Sequence, residues 1–343
     1  MLSRLAWALA ALAGALGWGV LALHRGETIN AAWLILAAVG TYLSAFRFYS
    51  RFLADRVLEL NDRRATPAER LANGRDFVPT PRWVLFGHHF AAIAGAGPLV
   101  GPVLAAQFGY LPGTIWIVFG VVLAGAVQDF VILFGSMRRD GKSLGQMAKE
   151  ETGPFTGLLA MVAVLAIMVI LLAVLALVVV NALKDSPWGV FTILCTIPIA
   201  ILMGFWMKAW RPGKTIEASL GGVALLLLAL VGGRYVAESP AIAPYFTHSG
   251  LTIAYAIIVY GFIASVLPVW MLLCPRDYLS TFMKVGTILL LAFGILVVMP
   301  TLRMPAVTRF VDGTGPIFAG KLFPFAFITI ACGAISGFHA LVA

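Results

Sequence analysis

An all-α, polytopic membrane protein is the fold class this chain predicts, and three observations predict it. Hydrophobic residues make up 61% of the 343 and charged residues 11%, where soluble domains carry about a quarter charged. Mean hydropathy is +0.97. Apolar runs of membrane-spanning length recur from one end to the other. The net charge of +9 therefore belongs first to the positive-inside rule. Nucleic acid is not an expected partner, because the basic residues sit in loops and no basic face interleaved with aromatics is present. The lipid bilayer is.

Ten apolar segments follow one another, at 5–23, 29–54, 83–109, 112–135, 154–181, 187–207, 218–236, 251–273, 281–300 and 317–343. The first follows a single Arg4. Its apolar run is long for a signal peptide and no clean small-x-small site ends it, so it is expected to be an uncleaved helix. The long loop over 55–82 is polar and mixed in sign. Its TPAER stretch can cap a short interfacial helix; otherwise the loop is a solvated linker. With the N-terminus placed in the cytoplasm, the inside regions hold 16 Lys and Arg and the outside loops 5. That bias predicts a cytoplasmic N-terminus. Cys195, Cys274 and Cys332 all lie in or beside apolar runs. Their spacing fits neither a zinc site nor a disulfide framework, which leaves small core residues.

Segment spacing suggests a longer repeat. Starts at 83, 112, 154, 187 and 218 are followed by a second set at 251, 281 and 317. Five helices separate the two sets, and an odd number makes the second enter from the opposite side, as in an inverted repeat. Residue similarity between the sets is poor. The division expected is two N-terminal helices plus a cytoplasmic loop over 1–82, a first five-helix repeat over 83–250, and the incomplete start of an inverted repeat over 251–343.

The third segment carries the chemistry, in GHHFAAIAGAGPLVGPVLAAQFG. Gly95, Gly97, Pro98, Gly101 and Pro102 cluster about its midpoint. Proline removes an amide donor and glycine permits irregular backbone. Freed carbonyls at that depth need protein or a polar cavity, and broken helices at the midplane hold substrate or ions in many secondary transporters. Close helix packing through small residues is the competing explanation. Ser265, between Gly261 and Pro268, and Ser336, between Gly333 and Gly337, are the counterpart candidates for binding substrate or a cation. For either serine the alternative is a hydrogen bond to its own helix backbone.

A second group lies at another depth. At about 1.5 Å per residue, His88 and His89 sit roughly 8–9 Å from the cytoplasmic edge, Asp129 roughly 10 Å, and His339 roughly 24 Å into a core of about 30 Å from the other side. Ionisable groups inside a membrane mark function by default. This layer can relay protons or form a passive inner gate, or it can be a structural hydrogen-bond cluster. Arg276, in PRDYL at a helix end, is a candidate carboxylate clamp, though a positive-inside anchor explains it better. No HExxH, GxSxG or Walker A pattern occurs. No enzyme activity, metal or cofactor is therefore expected, and uphill transport must draw on an ion gradient or a partner.

LFGHHFAAIAGAGPLVGPVLAAQFGYLPG, LAGAVQDF, LPVWMLLCPRDYLSTFMKVGT and FVDGTGPIFAGKLFPFAFITIACGAISGFHA, with LHRGETINAAW and VAESPAIAPYF, span the chain. In these stretches it resembles the carbon starvation protein A family of bacterial inner-membrane transporters, over the N-terminal half of its members. The resemblance implies uptake of peptides and pyruvate, coupled to protons or another cation, when carbon runs short. It also implies the LeuT-like five-plus-five inverted-repeat core of the amino acid–polyamine–organocation superfamily. A membrane sensor or scaffold in starvation signalling, without transport, is the alternative reading.

Overall fold

The computed structural model describes residues 17, 19, 20, 24, 26, 29–74, 76–334 and 337–342. Most of the expected first helix over 5–23 lies outside them, and so does Ser336. The described chain is helical, with a single isolated bridge between Asn30 and Thr301. Seven of its helices are long and apolar enough to cross a membrane, and two shorter apolar helices join them. These account for nine of the ten predicted segments among the described residues.

Helix α1, Ala31–Val57, begins where the Asn30 side chain accepts the Ala32 amide at 3.0 Å, an N-cap that satisfies an orphan donor. The short helix α2, Pro67–Arg70, occupies the TPAER stretch, and the Thr66 amide donates to Glu69 at 3.2 Å. The third segment is two helices, α3 over Arg82–Ile93 and α4 over Gly97–Ala105. The last bond of α3 runs from the Ala94 amide to Phe90, and α4 opens with the Leu99 and Val100 amides on Ala96. The break thus falls at 94–96, on the N-terminal edge of the Gly/Pro cluster. Pro98 lies in the first turn of α4, where its missing amide costs nothing. Pro102 is accommodated inside α4.

Next come α5, Tyr110–Arg138, and α6, Leu144–Thr152, the latter capped by Ser143 and Gln146. Then follow α7, Pro154–Leu183, α8, Pro187–Trp210, and α9, Thr215–Glu238. Helix α10, Gly250–Val266, stops short of the expected 273. Proline pushes the residue before it into extended backbone, and Leu267, ahead of Pro268, has ψ 148°. Helix α11, Leu273–Val298, consequently starts eight residues earlier than its predicted segment. The stretch over 274–280, expected as a connection, is helix. Helices α12, Leu322–Ala334, and α13, Gly337–Val342, end the described chain.

Charged loops gather at one end of the bundle. There Arg70 pairs with Asp140, Arg139 with Glu151 and Lys142 with Glu150. At the other end, segment 299–321 straps the helix ends. The Leu302 amide bonds Ile29, and the Tyr110 and Leu111 amides bond Pro305 and Ala306. Buried Gln107 accepts the Ile317 and Phe318 amides at 3.3 and 3.4 Å and donates to the Phe318 carbonyl at 3.2 Å.

Lipid tails are as apolar as leucine, so close packing and internal hydrogen bonds must hold such helices together. One buried cluster joins Val84 of α3, Ile199 and Met203 of α8, Leu226 and Ala229 of α9, and Tyr278 and Leu279 of α11. Helix α4 crosses α12 at Gly101. A Cβ there would lie 2.0 Å from the Thr329 carbonyl oxygen, so only glycine fits. Cys195 and Cys274 pack against the first cluster as small apolar residues.

Candidate functional site

Successive residues on a helix point about 100° apart, so His88 and His89 face different neighbours. His89 turns toward α13, where its Nδ1 lies 3.0 Å from His339 Nε2. The other nitrogen of His339, Nδ1, lies 3.0 Å from Asp129 Oδ1 on α5. His339 is 1% exposed, and the Asp129 side chain 16%. Three of the four predicted groups therefore form one file, Asp129–His339–His89, drawn from three helices. A neutral imidazole has one donor and one acceptor nitrogen. If His339 gives its Nδ1 proton to the carboxylate, its Nε2 must accept from His89. The file thus has a direction, and reversing it requires moving a proton.

His88 turns the opposite way, toward α11. Its Nδ1 lies 2.8 Å from Asp277 Oδ2, with both side chains a little over a third exposed. Sequence reasoning missed Asp277 because it placed PRDYL at a helix end. The signal was present as spacing. Asp277, Thr281 and Lys284 stand at i, i+4 and i+7, one face of a helix. Thr281 Oγ1 donates to the Gly87 carbonyl at 2.7 Å, and Lys284 Nζ donates to the Ala91 carbonyl at 3.2 Å. In a regular helix Ala91 would receive the Gly95 amide, which lies within the break. The polar stripe of α11 thereby runs along α3 up to the break. Close approach requires Gly87, where a Cβ would stand 2.7 Å from the Tyr278 ring. Tyr278 in turn shares a 2.8 Å hydrogen bond with Ser219 of α9.

The remaining predicted residues divide. Gly95 lies in the break and Gly97 opens α4 just after it, and space around Gly95 is open. Pro98 starts α4, while Gly101 and Pro102 lie within it against α12. At Gly101 the close approach of α4 is to Thr329 and Ile330. Ser265 is exposed on α10, and its hydroxyl donates to the Phe262 carbonyl of its own helix at 2.7 Å, the alternative weighed for it above. Arg276 is neither a loop anchor nor an open clamp. It donates to the Tyr260 hydroxyl at 2.6 Å and to Thr196 at 3.4 Å, and it stacks on the Tyr260 ring. Among the described residues no three His, Cys, Asp or Glu converge as metal ligands.

The model of the family described as carbon starvation protein CstA matches residues 30–343. A peptide transporter CstA of Escherichia coli is 59% identical over 338 residues, 98% of this chain and 48% of the relative. One from Helicobacter pylori is 58% identical over 341 residues, 99% of this chain and 50% of the relative. A pyruvate/proton symporter, BtsT, of Escherichia coli is 55% identical over 336 residues, 98% of this chain and 47% of the relative. The chain spans about half the length of these curated relatives. No solved structure matches it. With such identity along nearly its whole length, the chain belongs to the carbon starvation protein CstA family.

Proposed function

We propose that the chain works in a secondary transporter that takes up small organic nutrients, peptides or pyruvate, with protons, during carbon starvation. The carrying observation is the file Asp129–His339–His89 beside a helix broken at 94–96. An acid and two imidazoles in hydrogen-bond reach can pass a proton by reorienting one tautomer. The break supplies backbone groups for a substrate near mid-depth. Both substrate classes come from the names of the relatives.

The proposed setting is the bacterial inner membrane with the N-terminus in the cytoplasm. The ion-paired end of the bundle, which holds most of the loop arginines, is then the inner face. An inverted repeat, inferred from the segment spacing, is supported by the break ahead of Pro98 inside the third segment.

The test is uptake of labelled pyruvate and dipeptides into proteoliposomes, with and without an inward proton gradient. Gradient-driven accumulation is expected. Uptake indifferent to the gradient removes proton coupling. Absence of both flux and substrate-dependent charge movement favours a sensor or scaffold.

A further inference from the structure

Lys284 is the twelfth of the 26 residues of α11. Counted at about 1.5 Å per residue, it lies roughly 16 Å from one end of the helix and 21 Å from the other. A lysine stem cannot snorkel that far. The ammonium is thus committed to the bundle interior, where an isolated charge is costly. It is half-buried and its one hydrogen bond among the described residues is to the Ala91 carbonyl. An ammonium has three donors, so two remain on a group held one turn from the break at 94–96.

Neighbouring cationic groups are already engaged. Arg276 is held by Tyr260 and Thr196, and His88 by Asp277. Lys284 stands apart from them in having donors to spare beside irregular backbone. The polar stripe explains its position. Asp277 and Thr281 fix α11 against α3 at His88 and Gly87, and the next inward-facing position brings Nζ to the edge of the break.

We infer that Lys284 is a carboxylate-binding residue, taking the substrate's carboxylate at the break while it remains bonded to the Ala91 carbonyl. This rests on the transport reading above. Peptides and pyruvate differ in size, shape and charge at every other group and share a carboxylate. One ammonium beside a broken helix recognises that shared group and leaves the rest of the ligand to the open space at Gly95. The same bond to Ala91 ties ligand occupancy to α3, the helix that also carries both histidines.

The test measures binding rather than flux, using the protein in lipid nanodiscs. Labelled pyruvate and alanyl-alanine are compared with pyruvamide and alanyl-alanine amide as competitors. The carboxylates are expected to compete at least about tenfold better than the amides, and Lys284→Gln to abolish that preference, the scale of one charged hydrogen bond. Lys284→Arg, which keeps the charge, should retain most of it. Because Lys284→Gln can also disturb folding, a second measurement uses the unaltered protein. Pyruvate should slow modification of Lys284 by an amine-selective reagent, and pyruvamide should not. Equal competition by amides, no binding of either carboxylate, or modification indifferent to pyruvate overturns the assignment. Binding as expected without flux in proteoliposomes sinks the transport reading and leaves the carboxylate site standing.

Discussion

His89 and His339 are 250 positions apart in the chain, and their imidazole nitrogens lie 3.0 Å from each other. The contact exists because α13 returns to the inner part of the bundle and docks between α3 and α5. A buried imidazole needs a partner on each nitrogen. His339 finds a carboxylate on one side and a second imidazole on the other.

Replacing Asp129 by Asn keeps an acceptor for the His339 Nδ1 proton but removes the titrating carboxylate. Uptake in proteoliposomes should fall by roughly tenfold, the scale of one charged hydrogen bond. The response to an imposed pH gradient should flatten. An unaltered gradient response would leave Asp129 a structural role.

The pair His88–Asp277 is separable from that file. Both side chains are more than a third exposed, and polar pairs between membrane helices couple by only about 0.6 kcal/mol on average. A double-mutant cycle with His88→Ala and Asp277→Ala should give a coupling of about 0.5–1 kcal/mol in denaturant unfolding. A coupling indistinguishable from zero would mean that Thr281 and Lys284 hold α3 without it.

Two glycines in the same segment should behave oppositely. Gly101→Ala places a methyl against the Thr329 carbonyl, a backbone atom that cannot rotate away. It should destabilise by about 1–3 kcal/mol. Gly95→Ala meets open space and should leave the melting temperature within a degree or two of the parent. Equal loss at both positions would contradict the packing of α4 on α12.

Orientation is checked with single cysteines at the exposed positions Asn73 and Thr247. An impermeant thiol reagent should label Thr247→Cys in intact cells, and Asn73→Cys only after permeabilisation. The reverse pattern inverts the bundle in the membrane.

Much of the helix order could be read from hydropathy alone, because each long span is a nearly uninterrupted apolar run. The histidines and Asp129 were legible for the converse reason, being ionisable groups inside such runs. What hydropathy could not supply was the start of α11. Arg276 and Asp277 lower the average over those turns, so they resemble a loop, although Asp277, Thr281 and Lys284 are spaced along one helical face. Ser265 is a different case. Helix α10 is apolar all round, so its composition carries no hint of which side faces the bundle. The position of the break was shifted toward the prolines, since the first turn of a helix accepts proline while the residues ahead of it bend.

Gln107 and the loop arginines make the two mouths of the bundle differ in kind. The strap over 299–321 is held by neutral hydrogen bonds to a buried amide side chain. The opposite mouth is tied by partly exposed ion pairs among Arg70, Asp140, Arg139, Glu151, Lys142 and Glu150. Dissolved ions screen exposed charge pairs and leave buried neutral bonds largely untouched. Ionic strength is therefore a one-sided lever, loosening the charged loops at one end of the bundle while the strap at the other keeps its bonds.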